Sequence, residues 1–151
     1  MKKDPRRRGR EAALQILYQC EIGGADVGRA ADTYFDLQWP DTAPASPEIR
    51  TFAVELAHET VRRLEAVDRL IAETAERWRP ERMAILDRLI LRMAASELLR
   101  DPDTPPPVVI NEALELARTF SSEESVKFIN GMLDGIRKRM VRDRPDAGAS
   151  E

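Results

Sequence analysis

The stretch RRRGREAALQILYQCEI, residues 6–22, decides the fold class, because Ala13, Leu14, Leu17, Tyr18 and Ile22 recur at helical spacing and draw one apolar stripe. Arg6, Arg7, Arg8 and Arg10 stand just upstream in the same register. Residues 1–10 hold six basic groups and one acid, net +5, while the whole chain is at −3, so the other 141 residues carry −8. The basic charge is therefore concentrated at one end. Guanidinium forks match phosphate oxygens and stack on bases, so the run reads as a phosphate-binding lip for a nucleic acid; a solvated basic tail is the plainer alternative. Anchoring on a helix favours the lip, since less freedom is lost on binding.

With 34% charged and only 5% aromatic residues in 151, the composition predicts an all-α protein. The length suits one domain with a sizeable core, or two small helical halves that share one, and leaves no room for a separate catalytic domain. Cys20 is the only cysteine, so no intramolecular disulfide can form and a reducing cytosol is the expected compartment. Its neighbours suggest a small core hydrophobe. No apolar run approaches a membrane span and no signal-peptide pattern follows the charged N-terminus, so a soluble, cytoplasmic chain is expected.

Beyond Ile22, Gly23-Gly24 ends the first helix, and Ala30, Ala31, Tyr34 and Phe35 predict a short second one. Ser46-Pro47-Glu48 is a helix start: a capping hydroxyl, a ring needing no N–H partner, and a carboxylate suited to the dipole. A helical period then runs over 49–77 with a bend expected near Leu64 to Asp68, and Trp78-Arg79-Pro80 closes this half. Ile85, Leu86, Leu89, Ile90, Met93, Ala94 and Leu98 trace the most apolar helix, expected at the centre of the core. The proline-rich segment 101–107 is a stiff connector, after which Val109, Ile110, Ala113, Leu114 and Ala117 resume a helix. Ser121 and Glu124 have capping-box spacing ahead of a last helix whose stripe is Val126, Ile129, Met132, Leu133, Ile136 and Met140. The expected domain spans 1–143, with halves of about 1–78 and 79–143, and residues 144–151 form a disordered tail.

Catalytic patterns are missing. His58 is the only histidine and has no Ser, Cys or Asp partner in motif spacing; one His and one Cys cannot make a zinc set, and the acids follow no calcium loop. Gly23-Gly24 and Gly131 lack the surroundings of a phosphate loop, and Glu123 and Glu124 read as helix-start carboxylates. No enzyme, metal or cofactor is expected. Two features of the last helix stand out. Asn130-Gly131 interrupts a strong helix, where glycine costs about 1 kcal/mol relative to alanine, and close helix approach is the first explanation. Phe128 falls off the apolar stripe beside Lys127, where it could stack on an unpaired base or pack at the core's rim.

Three segments in order, RRRGREAALQILY (6–18), VINEALELA (109–117) and KFINGMLD (127–134), resemble the bacterial NusB family of antitermination factors. The resemblance implies an all-helical fold of about seven helices in two small packed bundles and no catalytic activity. It implies binding of boxA, a short single-stranded stretch of nascent ribosomal RNA, together with NusE, a small-subunit ribosomal protein, and loading onto RNA polymerase with other Nus factors. Carried over by motif, Arg6, Arg7, Arg8 and Arg10 would be the main RNA contacts, Tyr18 would lie at the RNA and NusE junction, and Lys127 and Phe128 would share that surface. Glu124, Glu81 and Asp87 match acidic positions tied to NusE. About four neutralised phosphates would give a log affinity against log salt slope near −3. The alternatives are the RNA-targeting module of a ribosomal RNA methyltransferase, which should continue into a cofactor-binding domain, and a helical protein–protein adaptor. The family includes monomers and homodimers, and either state is compatible with the residues.

Overall fold

In the computed structural model, which describes residues 4–75, 79–100 and 104–142, Asp4 opens α1 (Pro5–Gly23) by accepting the Arg6 backbone N–H at 2.7 Å, with Pro5 in the first turn. Gly24, at φ 71°, closes it in the left-handed region and returns its N–H to the Cys20 carbonyl at 3.0 Å. Asp26 caps α2 (Val27–Thr33) through the Arg29 N–H, and the chain passes directly into a π-helical turn over Tyr34–Gln38. The short second helix is thus present, with a widened end. Ser46 caps α3 (Pro47–Arg62), its hydroxyl accepting the Ile49 N–H at 3.2 Å.

The break expected within 49–77 falls at Arg63, whose φ of −96° and ψ of 11° leave the helical region before α4 (Leu64–Thr74) begins. Glu59 receives both Arg62 and Arg63 at this end of α3, where the chain carries neither glycine nor proline. Backbone contacts gather the chain into two compact units, Met1–Arg63 and Leu64–Glu151. The sequence places the division near residue 78, where Trp78 lies outside the described residues, as do 101–103 of the connector and the tail 144–151. Among the described residues all regular structure is helical.

In the first unit α1 packs chiefly on α3. Ala13, Leu14 and Leu17 are buried as the stripe requires, but Ile22 is 58% exposed and Ile16 is fully buried. The buried face therefore turns toward Gly9, Ala12, Ala13 and Ile16, the side on which Phe52 of α3 lies against α1.

In the second unit α5 (Ile85–Arg100) is buried on nearly every side through Leu89, Ile90, Leu91, Met93, Ala94 and Ala95, which matches its place as the central helix. Helix α6 (Pro106–Phe120) and α7 (Glu123–Arg142) pack against it and each other. A bidentate pair from Arg92 to Asp68, at 2.8 and 2.9 Å, ties α5 to α4. The cap of α7 differs from expectation: Ser122, not Ser121, accepts the Ser125 N–H at 3.1 Å. Ser121 instead donates to Asp87, so the hydroxyl that spacing assigns to the cap is used between helices.

The two glycines of α7 have opposite surroundings. A Cβ on Gly135 would lie 2.8 Å from Thr74 Cγ2, so close approach of α4 and α7 explains that glycine. A Cβ on Gly131 would meet nothing within 4 Å, which overturns close helix approach as the reason for Gly131. Gly135→Ala is expected to destabilise the protein by about 1–3 kcal/mol in denaturant titrations. Adding Thr74→Ser, which removes the methyl and keeps a hydroxyl donor for the Leu70 carbonyl, should restore most of the loss.

Candidate nucleic-acid interface

Arg6, Arg7, Arg8 and Arg10 lie inside the first turns of α1, where the helix dipole disfavours cations by roughly 0.3–1 kcal/mol each. The first unit offsets this with rings and carboxylates. Gly9 is the key to the arrangement: a Cβ there would stand 2.5 Å from Phe52 Cδ1, so only glycine lets the Phe52 ring of α3 lie against α1. Arg6 and Arg10, one turn apart on either side of Gly9, bring their guanidinium carbons to 5.6 and 5.2 Å from that ring's centroid. The two are not equivalent. Arg6 is exposed, whereas Arg10 is 4% exposed and forms part of the packing between α1 and α3.

Arg8 points to a second aromatic group. Its guanidinium carbon lies 4.4 Å from the Trp39 centroid and its Nη2 donates to Asp41 Oδ2 at 2.6 Å. Trp39 is fixed by its indole N–H, which donates to the Ala43 carbonyl at 3.1 Å, and by ring contacts with Tyr34 and Phe35. These groups border a cleft of about 740 Å³ lined by Arg8, Glu11, Ile49 and residues 39–46. Arg50, over Phe35 at 5.0 Å and paired with Asp32 at 2.9 Å, repeats the ring-and-carboxylate pattern on α3. Arg7 is half-buried, and Tyr18, about three turns further along the same face of α1, is 37% exposed.

The remaining expected site residues belong to the second unit. Glu124, Lys127 and Phe128 lie on the solvent side of α7, with Phe128 44% exposed, so it is not a core residue. Glu81 is exposed on a 3-10 turn, Pro80–Arg82, whose Pro80 carbonyl accepts from Arg88 Nη1 at 2.8 Å. Asp87 is half-buried, and both of its oxygens accept hydroxyls at 2.6 Å, from Ser121 and from Ser125. Asp87 thereby braces the start of α7 against α5.

The structure thus brings Arg6, Arg8 and Arg10 together around Phe52 and Trp39, neither of which periodicity marks as functional. Gly9, within an arginine run, is the available sequence signal for Phe52. Nothing local signals Trp39 or Asp41. Cys20 is half-buried, and burial pushes its thiol up, with the Asp26 carboxylate adding to the effect, so it is a poor nucleophile at neutral pH. His58 is exposed on α3, and among the described residues no group of three or more His, Cys, Asp or Glu could hold a metal. No helix among the described residues is long and apolar enough to cross a membrane.

These features define an all-helical protein with a cationic, aromatic-backed helix end. The NusB family model matches residues 7–138, and the chain belongs to that family. Transcription antitermination protein NusB of Koribacter versatilis is 45% identical over 144 residues, covering 95% of this chain and 96% of that protein. Among solved structures, T. maritima NusB superposes with a TM-score of 0.78 at 33% identity, over 91% of this chain and 93% of that one. A structure of antitermination factors NusB and NusE in complex with dsRNA shares the fold at 23% identity and a TM-score of 0.78, over 89% and 97% of the two chains.

Tyr34, beneath Arg8 and Trp39, gives a pH test of this cluster. Burial pushes its hydroxyl above the ordinary value; the Glu11 charge adds to this, Arg8 opposes it and Asp41 adds again. The folded state then keeps a proton that the unfolded state gives up. This contribution is fully present below about pH 10 and is lost as pH rises through the folded value. Denaturation midpoints measured from pH 9 to 11.5 should fall more steeply for the wild type than for Tyr34→Phe.

Proposed function

We propose that this chain is a non-catalytic, RNA-binding transcription antitermination factor, which takes the boxA element of nascent ribosomal RNA together with NusE and helps RNA polymerase, with the other Nus factors, to pass premature termination sites. The observation that carries the reading is the fixed guanidinium cluster of α1. Arg6 is exposed over one ring, and Arg8 is laid over another beside an exchangeable carboxylate. Family membership and the names of the relatives point the same way, and the NusB–NusE–dsRNA complex is a precedent on the same fold.

Arg6, Arg7 and Arg8 gather phosphates of a flexible strand, while Arg10, buried under them, supports α1 on Phe52 rather than reaching the strand. Incoming phosphate takes the place of Asp41 on Arg8, an exchange of one anion for another that leaves the guanidinium over Trp39. Phe128 offers a stacking face and Lys127 a further cation. Tyr18, Glu81 and Glu124 are exposed and available to NusE, with Asp87 bracing the start of α7. The acidic remainder of the chain repels indiscriminate RNA binding.

With Arg10 withdrawn from the surface, three arginine–phosphate contacts set a log affinity against log salt slope near −2 for the arginine cluster. In mobility-shift titrations with boxA-like RNA, changing Arg6, Arg7 and Arg8 together to alanine should flatten the measured slope by about 2 units and weaken binding at least roughly tenfold at moderate salt. Equal binding by both proteins would leave only the adaptor reading.

A further inference from the structure

Neither packing nor backbone conformation among the described residues requires glycine at position 131. Gly131 lies inside α7, where glycine is the poorest helix former after proline, yet a Cβ there would meet no atom within 4 Å. Its backbone does not require glycine either, since Gly24 holds the positive φ among the described residues. By contrast, Gly9 and Gly135 are each explained by a neighbour that a Cβ would strike. The bare backbone at Gly131 is on the solvent side of α7, flanked one turn earlier by Lys127 and the half-exposed ring of Phe128.

We propose that Gly131 is a contact point at which a single RNA strand lies directly on the backbone of α7. The inference rests on the RNA-binding reading above and adds a residue that carries neither charge nor side chain. The occupant follows from the flanking chemistry. Phe128 presents a face on which a base can stack, and Lys127, which has no ion pair among the described residues, can meet the adjoining phosphate. Asp134, one turn on, is matched by Lys138 at 3.0 Å, so its charge does not oppose the strand. A ribose between base and phosphate then crosses the helix at Gly131, where any Cβ would lift it off the surface. Helical N–H groups there are already used, so the contact is one of shape and weak C–H···O interaction, without charge.

The test is Gly131→Ala, with Asn130→Ala as the exposed neighbour on a different face, in thermal unfolding and in fluorescence-anisotropy titrations with a single-stranded boxA-like oligoribonucleotide. Gly131→Ala is expected to raise the unfolding midpoint by a few degrees. It should weaken RNA binding about tenfold without changing the salt slope, because no charge is altered. Asn130→Ala should leave affinity within about twofold, and Lys127→Ala should flatten the slope by about 0.7. A Gly131→Ala protein that binds RNA like the wild type overturns the inference while the RNA-binding reading stands. So does one that loses NusE affinity alone, or one that unfolds at a lower temperature. If the wild type itself fails to bind the oligoribonucleotide, the RNA-binding reading falls and this inference with it.

Discussion

The first unit depends on one steric fit: the Phe52 ring of α3 lies where a side chain at position 9 would be. This contact allows α1 and α3 to approach and leaves an aromatic face beside each turn of the arginine run. Arg6 and Arg10 both approach that ring, one exposed and one buried. Without it, arginines at a helix N-terminus would face only dipole repulsion and each other, and would spread into solvent. The ring, the Asp4 cap and the Trp39–Asp41 pair together turn an unfavourable local charge into a fixed one.

A fixed guanidinium differs from a mobile one in what it can select. Arg8, over Trp39 and paired with Asp41, has its planar guanidinium held between a ring and a carboxylate. The Asp41 carboxylate keeps this guanidinium charge-matched. In the second unit Asp87, through its two serine contacts, ties the first turn of α7 to α5. Each unit supplies its own rigid set of groups.

Local patterns made much of this legible. Gly23-Gly24, Ser46-Pro47 and the apolar run of α5 all mark features found in the structure, because caps and periodicity act over a few residues. What local pattern could not supply is partner identity at long range. The Ser121 hydroxyl is diverted to Asp87 on another helix, and Ile22 is exposed because the side of α1 that packs on α3 is the one carrying Gly9 and Ala13. The glycines show the limit most clearly. Gly131 and Gly135 lie one turn apart in the same helix, yet only the second faces Thr74. The candidate site divides the same way: its arginines and Phe128 stand out in the sequence, whereas Phe52, Trp39 and Asp41 become visible only when α3 and the 39–46 segment are folded beside α1.

The claim that the aromatic seat, and not charge alone, makes the arginine cluster a ligand is tested most directly by RNA affinity of Phe52→Leu, which keeps an apolar residue against Gly9 and removes the ring face. With all four arginines retained and helix content unchanged by circular dichroism, the account predicts affinity for boxA-like RNA reduced by roughly fivefold or more, in line with loss of about 1 kcal/mol of cation–π ordering. Wild-type affinity in that variant would contradict it.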